Sequence, residues 1–258
     1  MSAILERSFK VLEHLVAYPD GKPLSALAAD LDLPLSATHR LLTELVEIGY
    51  LRQHPVYGQY MLTIRLVSLG LSYLSNSGIV DVSQPVLDRL AAASGELVRL
   101  AVVDGDDLTF VAKAQGARGG LLYDPDMGLS VNLACSAAGH AWLATMSDKD
   151  AAALVARQGF GVAEDFGPGA PRSMRAVLPF LRATRERGFA LIENVFATGM
   201  GSVGAAVRLR NGAVVGVVTI AGPLLRFTGA RMAATGEALL QAATDLAQSS
   251  SASPFFKR

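Results

Sequence analysis

Between Leu24 and Leu62 the spacing of apolar residues changes period twice. Leu24, Leu27, Ala28 and Leu31 recur at helical spacing, with Ser25 expected as N-cap. Asp32, Leu33 and Pro34 end this run, because proline disfavours helical geometry in the residue before it. A second helix is predicted from Ser36, whose hydroxyl can accept from free backbone N–H groups. Its buried stripe is predicted as Ala37, Leu41, Leu45 and Ile48, which leaves Thr38, His39, Arg40, Thr43 and Glu47 off it. Gly49 stops the helix, and two short runs, 50–53 and 59–62, flank a loop containing Pro55 and Gly58.

Helix, tight turn, helix and hairpin in that order read as a winged helix-turn-helix, a device for reading double-stranded DNA. Ser36, Thr38, His39, Arg40 and Thr43 on the second helix and Arg52 on the hairpin are the candidate DNA contacts. Arginine and histidine address guanine edges or phosphates, whereas serine and threonine reach phosphate oxygens or a thymine methyl. The competing reading is a merely solvated helix face; the agreement of turn, caps and hairpin favours DNA.

Charge works against strong binding by one copy. Over residues 1–75, Arg7, Lys10, Lys22, Arg40, Arg52 and Arg65 face Glu6, Glu13, Asp20, Asp30, Asp32, Glu44 and Glu47. Such a region does not advertise nucleic acid by bulk charge. Self-association, which multiplies the contacts, is the expected remedy.

Around the reader, Leu5, Phe9, Leu12, Leu15 and Val16 predict a first helix packed behind it, and 63–76 reads as a further helix with Leu66, Leu69, Gly70 and Tyr73 on one side. Ser75, Asn76, Ser77 and Gly78 mark a hinge. Beyond it, 86–93 is helical, and 97–103 and 108–112 are strands bracketing Asp104-Gly105-Asp106-Asp107. Helices are predicted over 134–146, 148–157 and 173–187, and strands over 189–193, 202–209 and 213–221. The last two strands are joined by Asn211-Gly212, a two-residue turn signal. A long helix over 228–248 and a flexible Ser-rich tail over 249–258 complete the chain. The expected fold class is α+β: a DNA-binding domain over 1–62, a linker helix and hinge over 63–78, and a sensor domain with an antiparallel sheet over 79–248.

The chain of 258 residues is long enough for two cores, and its 23 basic and 23 acidic residues balance. No apolar run is long enough for a transmembrane helix, and the start does not read as a secretory signal, so no membrane partner is expected. The single cysteine, Cys135, precludes an intrachain disulfide and suits a reducing cytoplasm. Cys135 and His140 lie five apart on a predicted helix without a third triad member; a buried thiol and a surface histidine account for them better than catalysis does. His14, His39, His54 and His140 lack metal-ligand spacing, and the Asp104–Asp107 run lacks the length and terminal glutamate of a calcium loop. Gly199-Met200-Gly201 with Gly204 follows no strand-into-helix pattern, so no phosphate loop and no cofactor are expected.

Taken together, the segments LERSFKVLEHL, LPLSATHRLLTELVEIGYL, GELVRLAVVDGDDL, SAAGHAWLA, RERGFALIEN and VVGVVTIAGP resemble, in order and spacing, the IclR family of bacterial transcriptional regulators from about Glu6 to Ala247. The resemblance implies a GAF-like domain that binds a small metabolite, often a carboxylate, in a dimer or tetramer that controls a neighbouring operon. It places Ala137, Ala138, Ile192, Ser202, Thr219 and Ala221 around the polar part of the effector pocket, with Gly139 and Glu193 beside them, and Tyr123, Val131 and Met200 as its apolar wall. The chain departs from the family at Leu35, where a lysine is usual, and at Ile192 and Ala221, where polar groups are usual. The latter two point to a larger or more apolar acid, such as an aromatic one. Independently of the family, Cys135-Ser136-Ala137-Ala138-Gly139 opens a helix with side chains small enough to let backbone N–H groups approach an anion. The same residues would also let the helix pack closely on a sheet. A GAF-type signalling or catalytic protein, using its helix-turn-helix for protein contacts, is the alternative function.

Overall fold

A computed structural model describes residues 3–125, 127–128 and 130–250. The chain divides between Asn76 and Ser77 into two compact units.

The N-terminal unit contains α1 (Ala3–Val16), α2 (Leu24–Asp30), α3 (Leu35–Glu47), the hairpin β1 (Leu51–Gln53) and β2 (Tyr60–Leu62), and α4, which starts at Ile64 and ends at Ser77. Its core is Val11, Leu12, Leu15, Leu27, Leu41, Leu42, Leu45, Leu51 and Tyr60. Several sequence expectations change here. Prolines 23 and 34, not Ser25 and Ser36, occupy the N-cap positions of α2 and α3, with no side-chain cap bond. The fixed φ of proline suits a helix entry, and the serines fall inside the first turn. Starting α3 at Leu35 also turns its buried stripe to Thr38, Leu41, Leu42 and Leu45, while Ile48 is 53% exposed. On α1, Leu5, Phe9 and Val16 are exposed, and Val11 joins Leu12 and Leu15 inside. On α4, Leu69 and Tyr73 are exposed, and Leu66 is the residue packed on the core.

Of the four residues expected as a hinge, only Gly78 lies outside a helix. Helix α4 continues through Ser75 and Asn76, and Gly78, at φ +63°, caps the start of α5 (Ile79–Ser94).

The C-terminal unit is built on an antiparallel sheet in the order β4-β3-β7-β6-β5, formed by β3 (Leu97–Asp104), β4 (Asp107–Gln115), β5 (Ala190–Glu193), β6 (Met200–Arg208) and β7 (Val214–Pro223). Both faces are covered, so β3 is buried along nearly its whole length. Alternation sends Val98, Leu100, Val203, Val218 and Ile220 to one face, against α5 and α10 (Gly236–Ser250). The opposite face receives α6 (Ala137–Leu143), backed by α7 (Asp148–Gln158) and α8 (Met174–Arg187). Cross-strand register on this second face sets Arg99 opposite Thr219, Thr219 opposite Gly204, and Ile192, Ser202 and Ala221 in one row.

Three local details differ from the sequence reading. The β6–β7 connection is a three-residue loop, Arg210-Asn211-Gly212, closed by Leu209 N–H to Ala213 C=O at 2.8 Å, with Gly212 at φ +88°. A turn followed by a left-handed glycine is the usual three-residue solution. The single helix expected over 228–248 is two, α9 (Gly229–Ala234) and α10, parted at Thr235. Helix α6 is shorter than the helical run expected over 134–146. Asp104–Asp107 is a hairpin turn, with Gly105 at φ +60°. Of the Ser-rich tail, Ser249 and Ser250 end α10, and 251–258 lie outside the described residues.

Candidate functional site

In the helix-turn-helix, Ser36, His39, Arg40 and Thr43 are exposed along α3, and Arg52 is exposed on β1. Arg40 is held only by Glu44 one turn on, at 3.8 Å with both side chains more than half exposed. An exposed pair of that kind is worth a few tenths of a kcal/mol and leaves the guanidinium available. Thr43 donates its hydroxyl to the His39 carbonyl at 3.0 Å. Thr38 is the exception. It is fully buried, its hydroxyl donates to the Pro34 carbonyl at 3.1 Å, and it serves the core instead of the exposed face. The hairpin tip adds Val56 and Tyr57, both more than 70% exposed, next to His54, whose Nδ1 accepts from both of their N–H groups. Sequence reading passed over that tip because its residues carry no periodic pattern.

In the C-terminal unit a cavity of about 100 Å³ lies between α6 and the sheet. Of the residues predicted for a pocket, Tyr123, Val131, Ala137, Ala138, Ile192, Met200, Ser202, Thr219 and Ala221 line it. Gly139 and Glu193 do not. Gly139 is packed so closely that a Cβ would sit 2.2 Å from the Leu133 carbonyl oxygen, and its N–H is taken by Ser136 Oγ at 2.9 Å. Glu193 is exposed at the end of β5, and a Cβ on Gly229 would meet its carboxylate. Sequence reading missed Arg99, Phe110, Asn132 and Phe196, which line the cavity together with Ser136 of the helix opening. For Arg99 a signal existed: a lone cation inside the apolar run LVRLAVV. Phe196 arrives through a tight loop in which Asn194, at φ +56°, accepts the Gly199 N–H at 2.7 Å on Oδ1.

The start of α6 is fixed by side-chain bonds. Asn132 Oδ1 accepts the Cys135 N–H at 2.8 Å, and Ser136 Oγ donates to the Asn132 carbonyl at 2.6 Å. Two further hydroxyls of the lining are similarly committed. Ser202 Oγ donates to the Ile220 carbonyl at 3.0 Å, and Thr219 Oγ1 donates to the Arg99 carbonyl at 3.4 Å. All three hydroxyls thus turn their protons to backbone and present lone pairs to the cavity.

Cys135 and His140 are both fully buried, so the histidine is not on the helix surface as expected. His140 packs against the Phe180 ring and places Nε2 2.6 Å from the Ala134 carbonyl; burial lowers its pKa to about 4. Burial pushes the Cys135 thiol up, and its Sγ lies near two backbone carbonyls. A neutral histidine and a protonated thiol occupied this way form no activated nucleophile.

The family model described as the IclR helix-turn-helix domain matches residues 4–55, and that of the bacterial transcriptional regulator IclR C-terminal domain matches residues 71–248. The chain belongs to the IclR family of bacterial transcriptional regulators. This IclR-family chain is 26% identical over 242 residues to the HTH-type transcriptional repressor AllR of Escherichia coli (strain K12), covering 94% of this chain and 88% of that relative. Its fold is shared with IclR of Thermotoga maritima, at TM-score 0.72 and 22% identity over 95% of this chain and 97% of that one. An IclR homolog from Microbacterium hydrocarbonoxydans, solved in complex with 4-hydroxybenzoate, superposes at TM-score 0.78 with 20% identity over 97% of this chain and all of the other. Among the described residues no helix is long and apolar enough to cross a membrane.

Proposed function

We propose that this IclR-family regulator reads operator DNA through α3 and Arg52 and is switched by a small organic acid, aromatic or otherwise apolar in its body, held between α6 and the sheet. The observation that carries the effector reading is the cavity itself. It is mostly apolar, enclosed by Val131, Ile192, Phe196 and Met200, with a few polar groups converging on it. That is the usual composition of a small-molecule site. The solved homolog with 4-hydroxybenzoate bound supports an acid of this size.

A ligand alters DNA binding only by favouring one arrangement of the chain over another. Gly78, with a left-handed backbone and open space where a Cβ would be, is the residue best suited to absorb such a change. The regulator acts as a homo-oligomer. Exposed Leu5 and Phe9 on α1 and Leu69, Leu71 and Tyr73 on α4 are larger apolar faces than a lone copy normally leaves to water.

Ala138→Leu provides the test. It fills the cavity while leaving α3 untouched, so operator affinity in a gel-shift assay stays at the wild-type level and the effector no longer changes it. Undiminished calorimetric affinity for the effector in this variant places the pocket elsewhere.

A further inference from the structure

Arg99 is 8% exposed in the middle of β3, on the sheet face that α6 covers. Its guanidinium lies 3.7 Å from the centroid of Phe110 and 5.9 Å from that of Tyr123. Its Nε finds no hydrogen-bond acceptor. The described lining of the cavity contains no carboxylate, and Asp124, beyond it, is engaged by Lys113 at 2.6 Å. Burial accordingly lowers the Arg99 pKa, opposed by the Tyr123 hydroxyl and by the more distant Asp124. An arginine remains cationic even so, and a buried cation that no described carboxylate pairs with directly is costly.

Three of the lining hydroxyls make the case stronger. Ser136, Ser202 and Thr219 each donate to a backbone carbonyl, so none can turn a proton to an anion without giving up a bond. Gly139 N–H is likewise used within the cap. Among the described lining residues Arg99 is the only cation, and its planar fork matches a carboxylate in two parallel bonds.

We propose that Arg99, held by Phe110 and Tyr123, anchors the effector's carboxylate, a reading that rests on the cavity being the effector site. The sheet order then sets the ligand's orientation. Arg99 lies at the β3–β4 side, whereas Ile192 and Met200 lie toward β5 and β6, and β3 and β5 are separated by about 14 Å at the normal strand spacing. The ligand is an amphipathic monocarboxylic acid, with its charge at β3 and its apolar body directed toward β5.

The test uses the full-length protein and a panel of benzoate, 4-hydroxybenzoate, phenylacetate and hexanoate, each paired with its neutral amide. Thermal shift selects the acids that stabilise the wild type, and calorimetry measures them against Arg99→Met, Arg99→Lys and Ala138→Leu. At least one acid stabilises the protein and its amide does not. Arg99→Met weakens that acid about 10- to 100-fold, the range for a lost charge-assisted bond. Arg99→Lys recovers part of the affinity, and ligand-free Arg99→Met melts no lower than the wild type because its buried charge is gone. Equal binding of acid and amide overturns the anchor, as does unchanged acid affinity in Arg99→Met. Should that variant not fold, the amide comparison and Arg99→Lys decide alone. Loss of binding in Ala138→Leu with none in Arg99→Met overturns the anchor but keeps the cavity. Undiminished binding in Ala138→Leu overturns the cavity, and a panel in which no acid stabilises the protein overturns the carboxylate assignment.

Discussion

Gly204 on β6 lies directly beneath Ala137 of α6, and a Cβ at Gly204 would stand 2.8 Å from the Ala137 carbonyl oxygen. Helix and strand therefore meet backbone to backbone at the edge of the cavity. Gly204→Ala must lift α6 or bend β6, at a cost of about 1–3 kcal/mol for an overpacked core. The expected result is a lower melting temperature with weakened effector binding, measured by denaturation and calorimetry. A variant of unchanged stability would show that α6 yields easily.

Arg40 and Thr38 occupy the same helix and should fail differently. Arg40→Ala removes an exposed guanidinium and is expected to cost about 1–3 kcal/mol of operator binding per subunit, with the melting temperature unchanged. Thr38→Val keeps the buried shape but removes the bond to Pro34, costing about 1 kcal/mol of stability and leaving operator affinity intact in the folded protein. Gel-shift titration beside urea unfolding separates the two. Equal operator affinity for Arg40→Ala and wild type removes Arg40 from the interface.

His140 gives the stability a defined pH dependence. Its pKa is about 4 when folded, against an ordinary 6.5, so the unfolded chain takes up the proton first. The contribution is fully present above about pH 7 and falls as the pH drops toward 4, by about 3 kcal/mol in total. Unfolding free energies of wild type and His140→Gln, compared between pH 7.5 and 5, should diverge in slope by close to one proton. Parallel curves would mean that the histidine titrates alike in the folded and the unfolded chain.

The apolar faces of α1 and α4 and the near-neutral reader both call for partner subunits. Sedimentation at micromolar concentration is expected to show a dimer or tetramer, binding a pseudo-palindromic site with half-sites about one helical turn or its multiple apart. Phe9→Glu on the exposed face of α1 should loosen assembly and operator binding together. A monomer both free and on DNA contradicts this assignment.

Much of the fold was readable because it rests on local periodicity. β-rich segments bounded by turn residues located the strands, and helical spacing located the helices. The errors lie where a single residue sets a phase. Proline at an entry rotated the stripe of α3 by a fraction of a turn, which carried Thr38 from the candidate contacts into the core and exposed Ile48. Thr235 divided what periodicity read as one final helix.

The sequence by itself determined the family, the order of elements and the small residues that let α6 approach the sheet, since these are properties of neighbours along the chain. Tertiary structure decided which side chains meet around the cavity. Arg99, Phe110 and Tyr123 come from β3, β4 and the segment after it, Ile192 from β5, and Thr219 from β7. Their conjunction depends on strand order and register, which place residues 120 positions apart opposite one another, as with Arg99 and Thr219. Hydrogen bonding adds the last distinction: Ser136, Ser202 and Thr219 are donors by composition, but the backbone carbonyls around them have already taken their protons.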